Sequence, residues 1–205
     1  MSSEHRRGRT TLVLAALLAA VAVAGAACDF SAPTPQFTAV PIGATPWPHG
    51  TTGQYGLHID PTLLAKLPHS VSAQPFVEAA DLESIAMDDA DLAKTFDAYA
   101  AAEIGAIGDT DWLYVAIGHF KVDSQSDAYP DTYSAWVDQY AQGSCSQANG
   151  VSDTSQETIN NWIVDVANCR GGPVVYSLSL GGGIVLSMFG AGPRQLGRKL
   201  IGALY

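Results

Sequence analysis

The chain is short of positive charge. Its 205 residues carry 10 Lys and Arg against 20 Asp and Glu, for a formal net charge of −10. Between Cys28 and Asn168 the only basic side chains besides histidine are Lys66, Lys94 and Lys121. A surface this acidic repels phosphate, so nucleic acid and anionic membrane surfaces are excluded as main partners. Metal-binding and catalytic patterns are also missing. His5, His49, His58, His69 and His119 show no His-x-x-x-His spacing, and the three cysteines form no Cys-x-x-Cys. There is no Gly-x-Ser-x-Gly nucleophile elbow and no Lys-Ser/Thr phosphate loop. No internal repeat is visible. The chain is therefore expected to hold no metal or cofactor and no catalytic constellation.

What is present begins at the N-terminus. Arg6, Arg7 and Arg9 form a basic head, and Leu12 to Ala27 is uncharged and almost wholly apolar. Cys28 follows two alanines. Basic end, apolar core and small-residue cleavage site are the parts of an export signal. A cysteine as first mature residue adds a lipid-attachment site, where an acyl group such as palmitate is joined. Gly25 stands where such sites usually have a branched aliphatic residue. Two other readings stay open. Ordinary signal peptidase would cut after Ala24 or Ala26 and leave Cys28 a thiol. An uncleaved helix would be shorter than the roughly 20 residues a span prefers. The pair Arg6-Arg7 also raises twin-arginine export, which the residues after it fit poorly. Lipid on Cys28 makes the odd cysteine count intelligible: Cys145 and Cys169 remain as a disulfide pair in an oxidising compartment.

The expected organisation is a signal over 1–27, a tether over 28–53 and one domain over 54–205. Prolines 33, 35, 41, 46 and 48 make the tether extended. Within the domain, Tyr55–Ile59 reads as a short strand. Asp60-Pro61 caps a brief helix through Leu67, and Asp81 opens a short helical turn, Leu82–Met87. Asp88 or Asp89 starts a longer helix with Leu92, Phe96, Tyr99 and Ala100 on one face and Gly105 at its end. Trp112–Val122 is apolar on both faces and reads as a central strand. Asp131 caps the next helix, which presents Tyr133, Trp136, Val137, Tyr140 and Ala141 and stops at Gly143. Strands then follow over Thr158–Asn168, Pro173–Leu180 and Ile184–Phe189, with glycine hairpin links between them. A helix from Pro193 ends the chain with Leu196, Leu200 and Leu204 inward. The order α-β-α-β-β-β-α, with three strands in a meander, implies an α+β fold on an antiparallel sheet.

Asp60-Pro-Thr-Leu-Leu-Ala-Lys-Leu-Pro68, Trp162-Ile-Val-Asp-Val-Ala-Asn-Cys169 and the block Val174–Pro193 resemble uncharacterised secreted lipoproteins of high-GC and related bacteria. The resemblance covers most of residues 54–205. It implies a surface lipoprotein domain and carries over no site residue.

Four local features need weighing. The turn Gly190-Ala-Gly192-Pro193, ahead of Arg194, Arg198 and Lys199, has the outline of an anion site. Against it, Pro193 removes a donor, and the bases are expected in water or paired with the acidic half. Asp88, Asp89, Asp91, Asp109 and Asp111 lack the spacing of a calcium loop and read as caps, or as a face for cationic partners. His119, near Asp123 in a strand, is the one candidate base. A lone strand histidine more often packs or hydrogen-bonds without reacting. Of the tryptophans, Trp136 reads as core, Trp112 and Trp162 as core or surface, and Trp47 as an exposed tether residue that docks on the domain.

The leading expectation is a lipid-anchored, extracytoplasmic domain with a non-catalytic binding role, whose partner is an unknown protein. The alternatives are a carrier of a small hydrophobic ligand in a cavity under the sheet, and a hydrolase using His119. If the anchor reading holds, Cys28→Ala releases the protein from the membrane fraction or blocks its processing. Unchanged membrane attachment and mass in that variant would refute it.

Overall fold

The computed structural model describes residues 50–205. The expected signal segment, Cys28, His5, His49, Trp47 and nearly all of the expected tether lie outside the described residues. Among the described residues, no helix is long and apolar enough to cross a membrane.

The domain is mixed α and β, built on a mostly antiparallel sheet. The strands of that sheet are β1 (His58–Ile59), β4 (Val77–Glu78), β5 (Phe96–Ile104), β6 (Trp112–Phe120), β7 (Val151–Ile159), β8 (Trp162–Cys169), β9 (Val174–Gly181) and β10 (Ile184–Ala191). Their order across the sheet is β1-β5-β6-β10-β9-β8-β7, and β4 also pairs with β5. Only β1 runs parallel to its neighbour. A small β2 (Ser70–Val71)/β3 (Gln74–Pro75) hairpin lies apart. The helices are α1 (Ala80–Met87), α2 (Ala90–Thr95), α3 (Tyr129–Cys145) and α4 (Leu196–Gly202), with 3-10 turns at Pro61–Lys66 and Ser146–Ala148.

The C-terminal meander expected from the glycine links is present, with one more strand than the pattern suggested. Residues Thr158–Asn168 are not one strand. The chain reverses at Asn160-Asn161, both at positive φ (46° and 69°), a pairing that suits a two-residue hairpin turn. The strand before that turn, β7, has no apolar alternation to betray it because most of it is exposed. Smaller differences concern ends. The first strand is confined to His58–Ile59, α3 starts at Tyr129 rather than at an Asp131 cap and runs through Gly143, and α4 begins at Leu196.

The larger correction concerns Phe96–Ile104. The helix capped by Asp89 stops at Thr95, and the residues beyond it form β5. Alanine favours helix by no more than about 0.7 kcal/mol per residue over ordinary residues. Burying a large apolar side chain is worth roughly 1.5–3 kcal/mol. As a strand, this segment buries both faces at once. Ala100, Ala102 and Ile104 enter the core beneath α4, while Phe96, Tyr99 and Ala101 enter the core on the opposite side. A helix would bury one stripe only. Gly118 on β6 completes the fit, because a Cβ there would sit 2.7 Å from the Phe96 ring.

Two layers of core thus flank the sheet. Leu113, Val115, Ile117, Leu178, Leu186 and Met188 pack with Leu196, Leu200 and Ile201 of α4 on one side. Trp136 of α3 packs with Phe96, Phe120 and Val185 on the other. The edge of β5 is shared by β1 and β4, and the gap between them leaves the Ala101 N–H without a strand partner. Glu83 of α1 fills the gap: its Oε1 accepts from Ala101 N at 2.9 Å, and the residue is only 4% exposed. Burial pushes the Glu83 carboxyl up to about 8, and Glu78 beside it pushes the same way. The folded protein therefore keeps this proton to about pH 8, whereas the unfolded chain releases it near 4.5. Stability tied to the group is full below the unfolded value and is lost as pH rises through the folded one. Chemical denaturation should therefore show a midpoint that falls between about pH 5 and pH 8. Glu83→Gln, which keeps the acceptor, should flatten that fall. An equally steep fall in the variant would show that Glu83 is not its source.

Candidate functional site: a groove beside helix α3

Helix α3 crosses one face of the sheet, and three sets of contacts hold it there. At its start, Tyr129 Oη lies 3.0 Å from Ser179 Oγ, and Tyr133 Oη donates to Asp165 Oδ2 at 2.7 Å. In its middle, Trp136 Nε1–H donates to Ser187 Oγ at 2.9 Å, and Ser187 is bonded to Ser177 at 2.9 Å, all of it buried. At its end, Cys145 is disulfide-bonded to Cys169, the last residue of β8, as the cysteine count anticipated. The bridge closes a separation of 24 residues. In the chain-entropy account of cross-links, a loop of this size is worth roughly 3 kcal/mol.

The helix lies over the middle of the sheet and leaves its outer part open. Between α3 and strands β7 to β9 runs a groove of about 490 Å³. One wall is Tyr133, Ser134, Val137, Asp138 and Ala141 of α3. The floor comes from the strands: Thr154, Ser155 and Gln156 of β7, Asp165, Val166 and Ala167 of β8, and Val175 and Ser177 of β9. Strand register sets which of these side chains share a face. Asp165 pairs with Gln156 on one side and Ser177 on the other, so the three side chains stand on the same face.

Asp165 is the polar centre of the groove. One carboxylate oxygen accepts from Tyr133, and the other accepts from Gln156 Nε2 at 3.0 Å. Each oxygen keeps a further lone pair, since a carboxylate accepts about four hydrogen bonds. Burial and the adjacent Asp165 both push the Tyr133 phenol upward, so it stays a neutral donor. Asp138 is exposed on the wall. No Lys or Arg occurs anywhere in α3, β7, β8 or β9, which together carry Asp131, Asp138, Asp153, Glu157 and Asp165. The groove can therefore receive hydrogen-bond donors and positive charge. Its lining holds no Lys, Arg or His side chain, and no serine is hydrogen-bonded to Asp165.

The candidates singled out in the sequence lie elsewhere. The glycine turn before α4 borders a recess of about 180 Å³ lined by Trp112, Tyr176, Gly190, Gly192 and Gln195, and the turn itself is held by the chain. Arg194 N–H donates to Asp111 Oδ1 at 2.7 Å, and a Cβ on Gly192, at φ +114°, would meet Thr110 O at 2.3 Å. Arg198 pairs with Glu157 at 2.7 Å, and Lys199 donates to Ser72. The five aspartates are dispersed. Asp89 caps α2, Asp91 pairs with Lys94, Asp88 accepts from Gln54, Asp109 accepts from Ala106 N–H, and Asp111 holds Arg194. Among the described residues no group of three or more His, Cys, Asp or Glu side chains is arranged to hold a metal. His119 Nδ1 meets Asp97, not Asp123, at 2.8 Å. The hydroxyls of the neighbouring strands, Ser177, Ser179 and Ser187, bond on the α3 face. His119 shares the parity of Leu113, Val115 and Ile117 on β6, which face the other way. Trp136 and Trp112 are buried and Trp162 partly so.

No single motif pointed to the groove, because its members come from four elements and meet only after α3 is folded back. One signal was readable: a helix and three strands in a row without a basic residue. No family model, curated protein or solved structure matches the chain.

Proposed function

We propose that this protein is a lipid-anchored binding domain of the α+β class on the outer side of a bacterial membrane. In this reading Cys28 carries the lipid, residues 28–53 are the spacer and residues 54–205 are the domain, whose ligand lies in the groove beside α3. The observation that carries it is the groove itself: a fixed wall and floor with hydrogen-bonding groups aimed inward. Ligand sites are typically pre-formed recesses of a few hundred Å³ with few, placed polar groups. Catalysis would need a nucleophile or base oriented by a second group next to such a recess. Among the described residues the histidine–carboxylate pair His119–Asp97 belongs to the opposite face of the sheet from the groove, and the carboxylate that does stand in the recess, Asp165, is engaged by Tyr133 and Gln156 with no serine hydrogen-bonded to it. A carrier of a hydrophobic ligand draws less support, because Asp138, Asp165, Gln156 and Ser177 all stand in the recess.

Site-directed photo-cross-linking in the intact envelope tests this reading. Cross-linkers at Ser134 and Thr154, in the groove, should give a discrete adduct, and one at Ser72, by α4, should not. Val137→Trp, which fills the groove, should abolish the adduct without loss of folded protein. Equal cross-linking from Ser72, or turnover of a substrate by the purified domain, would overturn it.

A further inference from the structure

Strand β7 is an open edge of the sheet. It spans nine residues, and within the described residues it pairs only with β8. Its other side offers a row of backbone N–H and C=O groups that no strand of the described residues uses. Proteins commonly blunt such edges with charged side chains, proline, bulges or a short strand. Over Val151–Ile159 this edge has no lysine and no proline; its protection is acidic, Asp153 and Glu157, with a bulge at the Val151 end, and so does not repel a basic strand. The edge also borders the groove directly: Thr154 and Gln156 belong both to β7 and to the groove floor.

We infer that the groove takes the side chains of an extended, lysine- or arginine-bearing polypeptide segment, which adds as a further strand to β7 and reaches alternate long basic side chains over Thr154 and Gln156 toward Asp165 and Asp138. This rests on the groove being the ligand site. Three observations select the occupant. An added strand satisfies the unused backbone groups of β7 and projects every second side chain to the α3 face. That face holds two carboxylates and no base. A second copy of this chain is disfavoured, because its own groove face is equally acidic, with Asp138 and Asp165 and no base, and so supplies no positive charge to this one. A basic segment has the reverse complementarity, which hastens encounter and selects against acidic partners.

Fluorescence anisotropy on the full domain tests this with labelled eight-residue peptides. One alternates Lys and Thr. A second replaces Lys by Glu. A third keeps the Lys-Thr sequence but is N-methylated at alternate backbone nitrogens. The Lys-Thr peptide should bind, the Glu-Thr peptide should not, and N-methylation should weaken binding at least about tenfold. Asp165→Asn should weaken the Lys-Thr peptide by about tenfold or more. Asp138→Asn, at an exposed position that carries no fold contact, should do so by a few-fold, with the difference shrinking as salt is raised. Hydrogen exchange at β7 amides should slow on binding. Equal affinity of the Glu-Thr or N-methylated peptide would overturn the inference. So would competition by spermidine at matched charge concentration, or unchanged β7 exchange. Groove cross-links obtained without Lys-Thr binding would leave the groove as the site and remove the basic strand as its ligand. Absence of both would remove both.

Discussion

The buried hydrogen bond from Trp136 to Ser187, continued to Ser177, decides where everything else in the domain can go. An indole N–H and two hydroxyls are costly to bury alone, roughly 1–3 kcal/mol for each unsatisfied group, and together they satisfy one another. The placement of α3 that satisfies them puts Trp136 over the centre of the sheet at β9 and β10. Aromatic packing agrees with that placement, since the Trp136 ring meets Phe96 edge-on with centroids 4.7 Å apart. The disulfide at one end and the tyrosine contacts at the other then fix the helix in direction as well as position. A helix so placed cannot also cover β7. The groove and the open edge follow from that geometry.

The other half of the sheet is organised by small residues. The run Ala100-Ala101-Ala102 in β5 lets packing layers approach both faces, and Gly118 lets Phe96 lie flat on β6. The cost appears at the edge of β5, where two very short strands leave a gap. The Glu83 carboxyl closes it. In this half Asp60, Asp89 and Asp109 cap helices or turns, and Glu83 is the buried carboxyl. The α3 half, by contrast, has carboxylates with unused hydrogen-bonding capacity facing open space.

Several elements were legible in the sequence. Trp112–Phe120 showed itself by continuous apolar character on both faces. Two hairpins showed themselves by glycine, and the cysteine pair by count. The two strands that were misread failed for opposite reasons. β5 carries the residues of a helix, and its strand state is imposed by β6 and by burial on two sides. β7 carries no apolar pattern at all, because an exposed edge needs none. The Asn160-Asn161 turn was the available clue to it and suits positive φ at both positions. The groove was illegible because Asp165 and Tyr133 are brought together by a helix that crosses over the sheet. Only the absence of bases from Tyr129 to Cys169 hinted at its character.

The central claim is that α3 is held rigidly and β7 is left open, so that the groove exists before any ligand arrives. Native-state amide hydrogen exchange on the free domain measures this residue by residue. The account predicts that amides of α3, β8, β9 and β10 exchange together and slowly, while the β7 amides that point away from β8 exchange far faster. Fast exchange throughout α3, or protection of both sides of β7 in the free protein, would contradict it.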